Sequence, residues 1–88
     1  MEAEAVAVTM STSLEPTTTV DARGATCPGP LMELIGAIRD AESGDIVRLL
    51  SDADQSRTDV PEWVDEAGNT LHEIETHDEY TAFYVEKT

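Results

Sequence analysis

Apolar and polar positions change their period several times along this chain, and each change marks an element. Residues 1–16 are mostly Glu, Ala, Thr and Ser, with a lone Leu14 and Pro16, and follow neither a helical nor a strand period. They are expected to form a flexible acidic, Ser/Thr-rich tail ahead of a folded domain over residues 17–88. "TTTVDA", rich in β-branched residues and ending before Gly24, predicts a first strand. After Pro30, Leu31, Leu34, Ile35 and Ile38 fall at i, i+3, i+4 and i+7, the apolar face of a helix that Gly44 is expected to stop. "DIVRLLS" is aliphatic over a strand's length. Asp59 with Glu62 three residues on has the form of a capping box. Val60, Trp63, Val64 and Ala67 then repeat the helical stripe, so a second helix capped by Asp59 should close at Gly68-Asn69. "TLHEIET" and "YTAFYVE", joined by "HDE", predict an antiparallel hairpin.

The resulting order, β-α-β-α-β-β, predicts an α+β fold. It is a two-layer sandwich with both helices packed on one face of a four-stranded mixed sheet. The first two strands, joined through a helix, should be parallel with a right-handed crossover.

With 88 residues there is room for one small domain. No apolar run approaches the roughly 20 residues that span a bilayer, and no basic-then-apolar leader opens the chain, so a cytoplasmic protein without membrane insertion is expected. Nineteen acidic residues against five basic ones give a net charge of −14. Such a surface repels phosphate backbones, which excludes direct nucleic-acid binding, and self-repulsion favours a monomer at low salt. Acid excess with a single lysine suits a salt-rich cytoplasm, where screening relieves the repulsion. The single cysteine, Cys27, allows no internal disulfide and fits a reducing compartment.

That cysteine stands in "ATCPGPL". Proline is favoured at the first helical position, so Pro28 there would make Cys27 the N-cap. Pro28 and Pro30 have no N–H, which would leave those of Gly29 and Leu31 to face the cap, while the proline rings stiffen the turn. A thiolate at this helix end has a lowered pKa. Gly29 adds access, and Arg23 could add positive charge. Cys27 also precedes the apolar stripe that starts at Leu31, unlike an inert core cysteine. Exchange of the Cys-x-x-Cys kind is excluded because position 30 is proline. His72 and His77 read as surface or strand-end residues rather than as a base for the thiol, and with Cys27 they have no metal-ligand spacing. What remains is a thiol that accepts and hands on a group, and a persulfide sulfur suits it without a metal or cofactor.

The segments "VDARGATCPGPLMELIGAI", Gly44-Asp45 and "DVPEW" resemble the TusA/SirA family of small sulfur carriers, over about residues 19 to 86. The hallmark of that family is Cys-Pro-x-Pro at the start of the first helix. The resemblance implies that Cys27 carries the persulfide and that Pro28 and Pro30 are the motif prolines. Asp21 and Gly24 match the strand and turn ahead of the motif, and Asp59, Val60 and Pro61 match an Asp-Ile-Pro helix start. It further implies a sulfur donor, a cysteine desulfurase or rhodanese-like protein, and an acceptor, as in tRNA thiolation or molybdenum-cofactor assembly. Whether the chain counts as a sulfurtransferase enzyme or as a carrier acting with partner enzymes stays open. Many relatives have a basic residue where Thr58 stands, with Arg57 one place earlier here, and others have a Lys at the place of Gly36. Arg23 and Arg57 are therefore the candidate docking cations, and partner identity does not transfer. The alternative reading is a non-catalytic regulatory or redox-sensing module that uses Cys27; a maturation factor for a membrane transporter is a third.

Overall fold

The computed structural model describes residues 15–26 and 28–88. Residues 1–14 of the expected tail, and Cys27 itself, lie outside the described residues. The elements run β1 (Thr18–Asp21), α1 (Gly29–Asp40), β2 (Ile46–Ser51), α2 (Ser56–Ala67), β3 (Thr70–Thr76) and β4 (Thr81–Glu86). The strands form one sheet in the order β1-β2-β4-β3. β1 pairs parallel with β2, Val20 opposite Leu49, while β4 runs antiparallel to both β2 and β3. This is the expected α+β architecture with a mixed sheet.

The core lies between the helices and one face of the sheet. Leu34 and Ile38 of α1 and Val60 and Val64 of α2 meet Val47, Leu49, Phe83 and Val85 of the two central strands, with Ala22 at the margin. In β2 alternate residues are buried, as a half-covered strand requires. β4 departs from alternation and is buried from Thr81 to Val85, Tyr84 being covered by side chains of both neighbouring strands. On the sheet's other face, the Tyr84 hydroxyl donates to the Glu75 carboxylate at 3.2 Å, and the Arg48 guanidinium lies 6.0 Å from the Tyr84 ring centre.

Both helix ends have a chemical cause. α1 stops at Asp40, four residues before Gly44, and the ammonium of Lys87 donates to the Ala41 and Arg39 carbonyls at 2.8 and 3.3 Å. At the end of α2, Gly68 adopts φ +80, its N–H bonds the Asp65 carbonyl, and the Asn69 N–H reaches back to Val64 at 3.0 Å. That is a Schellman ending at the expected Gly-Asn pair.

The start of α2 corrects the sequence reading. The helix begins at Ser56, with Gln55 as N-cap and no side-chain cap, rather than at Asp59. The cause lies in the preceding turn: the Ser51 and Ser56 hydroxyls pair at 2.8 Å in the interior, and Ser51 Oγ accepts the Ala53 N–H at 3.1 Å. Three successive i to i−3 bonds, from Ser56, Arg57 and Thr58, then start the coil early. Asp59 instead accepts a bond from the Gln55 amide at 3.1 Å within the first turn. Pro61 is interior to the helix, where it offers no N–H to the Arg57 carbonyl. Ala67, expected on the apolar stripe, is exposed.

Candidate functional site

β1 and β2 are parallel, so both leave the sheet at the same edge, and the segments that follow them lie side by side. The first is the turn Asp21–Thr26 that leads to Cys27. Ala22 N–H continues the sheet pairing onto the Leu50 carbonyl at 2.9 Å. Asp21 then turns its carboxylate back on its own loop: Oδ1 accepts the Arg23 backbone N–H at 3.1 Å and Nε at 2.8 Å, and Oδ2 accepts Nη2 at 2.8 Å. These bonds to Arg23 hold the Asp21 carboxyl down at about 2, against an ordinary 3.8, and raise the pKa of the guanidinium in return.

Gly24 follows with φ +91, a conformation that side chains disfavour, and its N–H points out of the turn. It is met by Asp52, the residue directly after β2, whose two carboxylate oxygens accept it at 3.1 and 3.0 Å. Ala25 N–H closes the turn onto the Ala22 carbonyl at 3.2 Å. A third segment reaches in from the β3–β4 connection. The Arg23 guanidinium lies over the Tyr80 ring at 5.3 Å, and His77 stacks on that ring with centres 4.6 Å apart.

The entry to α1 differs from expectation by one residue. Pro28, with φ −91 and ψ 18, is the N-cap, and Gly29 and Pro30 are the first helical residues. The expected arrangement made Cys27 the cap and Pro28 the first helical residue. The reason is the Gly29 N–H, which donates to the Thr26 carbonyl at 2.8 Å, a bond made before the helix begins. That donor is therefore spent on Thr26 and is not left to face the cap. The first helical bond shown is from Met32 to the Pro28 carbonyl at 2.9 Å. Gly29 has a packing reason too, since a Cβ there would come within 3.3 Å of the Ala25 Cβ. Pro30 is buried and Leu31 packs against the core, while Thr26, Pro28 and Met32 are exposed.

Two clefts adjoin this turn. An open groove of about 480 Å³ is lined by Asp21, Arg23, Gly24, Asp52 and Glu79. A smaller cleft of about 110 Å³ lies between the β2–α2 segment and the β3–β4 connection and includes Arg57, His77 and Tyr80. Asp52 and Glu79 belong to both. The fold thus gathers Asp21, Arg23, Gly24 and Arg57 around the clefts, whereas Asp59 and Pro61 on α2 line neither. His72 and His77 bond to Glu86 and Glu75, at 2.6 and 3.4 Å. Among the described residues no three acidic, His or Cys side chains are grouped to hold a metal.

Sequence reasoning missed Asp52 and Tyr80. The signal for Asp52 was the parallel pairing itself: with Asp21 opposite Leu50, the residues that follow β2 must lie beside the turn that follows β1.

A family model described as Sulfurtransferase TusA matches residues 18–87. The chain belongs to the TusA family. A relative from Archaeoglobus fulgidus, described as a candidate sulfur carrier, is 46% identical over 68 residues, covering 77% of this chain and 93% of its own. One from Halobacterium salinarum is 35% identical over 80 residues, with coverage of 90% and 99%. The sulfur carrier protein TusA of Buchnera aphidicola is 30% identical over 69 residues, covering 78% and 87%. The crystal structure of a SirA-like protein from Desulfitobacterium hafniense superposes with a TM-score of 0.70 at 25% identity, over 80% of this chain and 96% of that one. TusA membership brings a sulfur-carrier role, and with it an exchange with donor and acceptor proteins. No helix among the described residues is long and apolar enough to cross a membrane.

Proposed function

We propose that Cys27 is the sulfur-carrying residue and works by persulfide relay. Its thiolate attacks the outer sulfur of a donor protein's persulfide, the donor's S–S bond breaks, and the donor cysteine leaves as a thiolate. The sulfur now on Cys27 is then attacked by an acceptor nucleophile, which takes it and returns Cys27 as a thiolate. No metal or cofactor enters, and the only proton movement is the initial loss from the thiol. Donors of the cysteine desulfurase or rhodanese type suit the first step, and enzymes of tRNA thiolation or molybdenum-cofactor assembly suit the second.

The observation that carries this reading is the arrangement around position 27. The N–H groups from Ala22 to Ala25 are each bonded, Thr26 and Pro28 are exposed, and α1 begins immediately beyond Pro28. Exposed neighbours leave this stretch open to a partner, and the positive end of a 12-residue helix that begins two residues after the cysteine favours a thiolate there. Asp21, Gly24, Pro28, Gly29, Pro30 and Leu31 support that turn; Asp59 and Pro61 shape α2; Arg23 and Arg57 offer cations to a docking partner. A cytoplasmic, monomeric carrier fits the single thiol and the charge of −14.

Intact-protein mass spectrometry after incubation with a desulfurase or rhodanese and its sulfur source should show a reducible gain of one sulfur atom, absent from Cys27→Ser. A wild-type chain that gains no sulfur from donors of either class rules the proposal out. An adduct formed with peroxide but with no sulfur donor favours the redox-sensing module instead.

A further inference from the structure

We propose that Asp52 is a positioning residue for Cys27, acting through the Gly24 N–H. The inference rests on Cys27 being the reacting thiol. Of the turn's backbone N–H groups, Ala22 and Ala25 bond to carbonyls and Arg23 bonds to Asp21 within the turn. Gly24 alone bonds to a side chain from another segment, 28 residues along the chain. Among the described residues, Asp52 is the one hydrogen-bonded side-chain strut between this turn and the rest of the fold. It is also exposed, so burial does not demand the bond, and its two oxygens close on a single donor at 3.0 and 3.1 Å. Geometry and charge act in opposite directions here. A carboxylate beside the turn opposes a thiolate, whereas the strut fixes the turn that leads to Cys27 and α1.

That opposition gives the test a sign. In the full chain, the pH dependence of iodoacetamide alkylation is measured for wild type, Asp52→Ala, Asp52→Asn and Gly24→Ala, beside the thermal midpoint and the rate of persulfide loading. Positioning predicts that Asp52→Ala moves the alkylation midpoint upward, toward the ordinary thiol value of about 8.5. It also predicts loading slowed about tenfold, as expected when a reacting atom is misplaced. Asp52→Asn, which keeps one acceptor oxygen, should fall between. Gly24→Ala leaves every charge in place and puts its Cβ into open space, so through the strain at φ +91 it should reproduce the upward shift.

A midpoint that is unchanged or lowered in Asp52→Ala, with loading within about twofold of wild type, overturns the inference. Should Asp52→Ala fail to fold, Asp52→Asn and Gly24→Ala decide it by the same two readouts. A wild-type chain that never loads sulfur sinks the carrier reading, and the alkylation arm still decides the role of Asp52.

Discussion

The ammonium of Lys87 lies 2.8 Å from the carbonyl oxygen of Ala41, at the C-terminal end of the helix whose other end follows Cys27. It is the chain's single lysine, and it joins the last residues after β4 to α1. Lys87→Ala removes two charge-assisted bonds and a favourable interaction with the helix dipole. It should cost about 1 kcal/mol in urea unfolding while leaving the alkylation rate of Cys27 unchanged. A loss of reactivity without a loss of stability would contradict that assignment.

Ser51→Ala should destabilise the fold by about 1–3 kcal/mol, because the Ala53 N–H loses its acceptor and the buried hydroxyl pair is broken. The early start of α2 depends on that turn. Helix content by circular dichroism should therefore fall with the substitution, as residues 56–58 uncoil.

Asp21 makes the stability depend on acid in one direction. Its folded pKa of about 2 lies below the ordinary 3.8, so its contribution is full above pH 4 and is lost as pH falls toward 2. Asp21→Asn should lower the stability at neutral pH, leave that near pH 2 almost unchanged, and so flatten this part of the stability curve. The pair is exposed, so high salt should shrink the difference. Unfolding midpoints at a series of pH values, with and without salt, provide the check.

A chain with 19 acidic and five basic residues should gain stability as salt is added. The thermal midpoint should rise steeply up to about 1 M, where the screening length has fallen to about 3 Å, and flatten beyond. Indifference to salt in that range would mean that the acids are spaced widely enough not to repel one another.

Truncation of the central ring, Phe83→Ala, should cost about 3–5 kcal/mol and unfold much of the population at moderate urea. Truncation of Met32, exposed beside the site, should leave the midpoint within about 0.5 kcal/mol.

The elements were legible wherever one physical signal acted alone. Leu34 and Ile38 repeat at helical spacing and are buried as that spacing requires, and Gly68-Asn69 ends α2 by backbone conformation. Reading failed where two signals competed. Asp59 had the form of a cap, but the bonds of Ser51 lie in tertiary space and start the coil at Ser56. Pro28 suits a first helical position, but the bond from Gly29 to Thr26 displaces it by one residue. In the site, Asp21 and Gly24 could be named from the motif. Their work could not, since Arg23 is bound within the loop and Gly24 is bound to a residue 28 positions away.

The sheet order also decides how the molecule can be held. β1 begins, and β4 ends, at the end of the sheet opposite the turn Asp21–Thr26: the Thr17 N–H meets the Ile46 carbonyl there, and the Lys87 N–H meets that of Asp45. A tether, a fused domain or a solid support attached at Thr88 therefore joins the molecule at its back, leaving the turn facing outward for successive partners. A relay can thus be built by joining the carrier to its own donor, with linker length as the variable that sets how often the two meet.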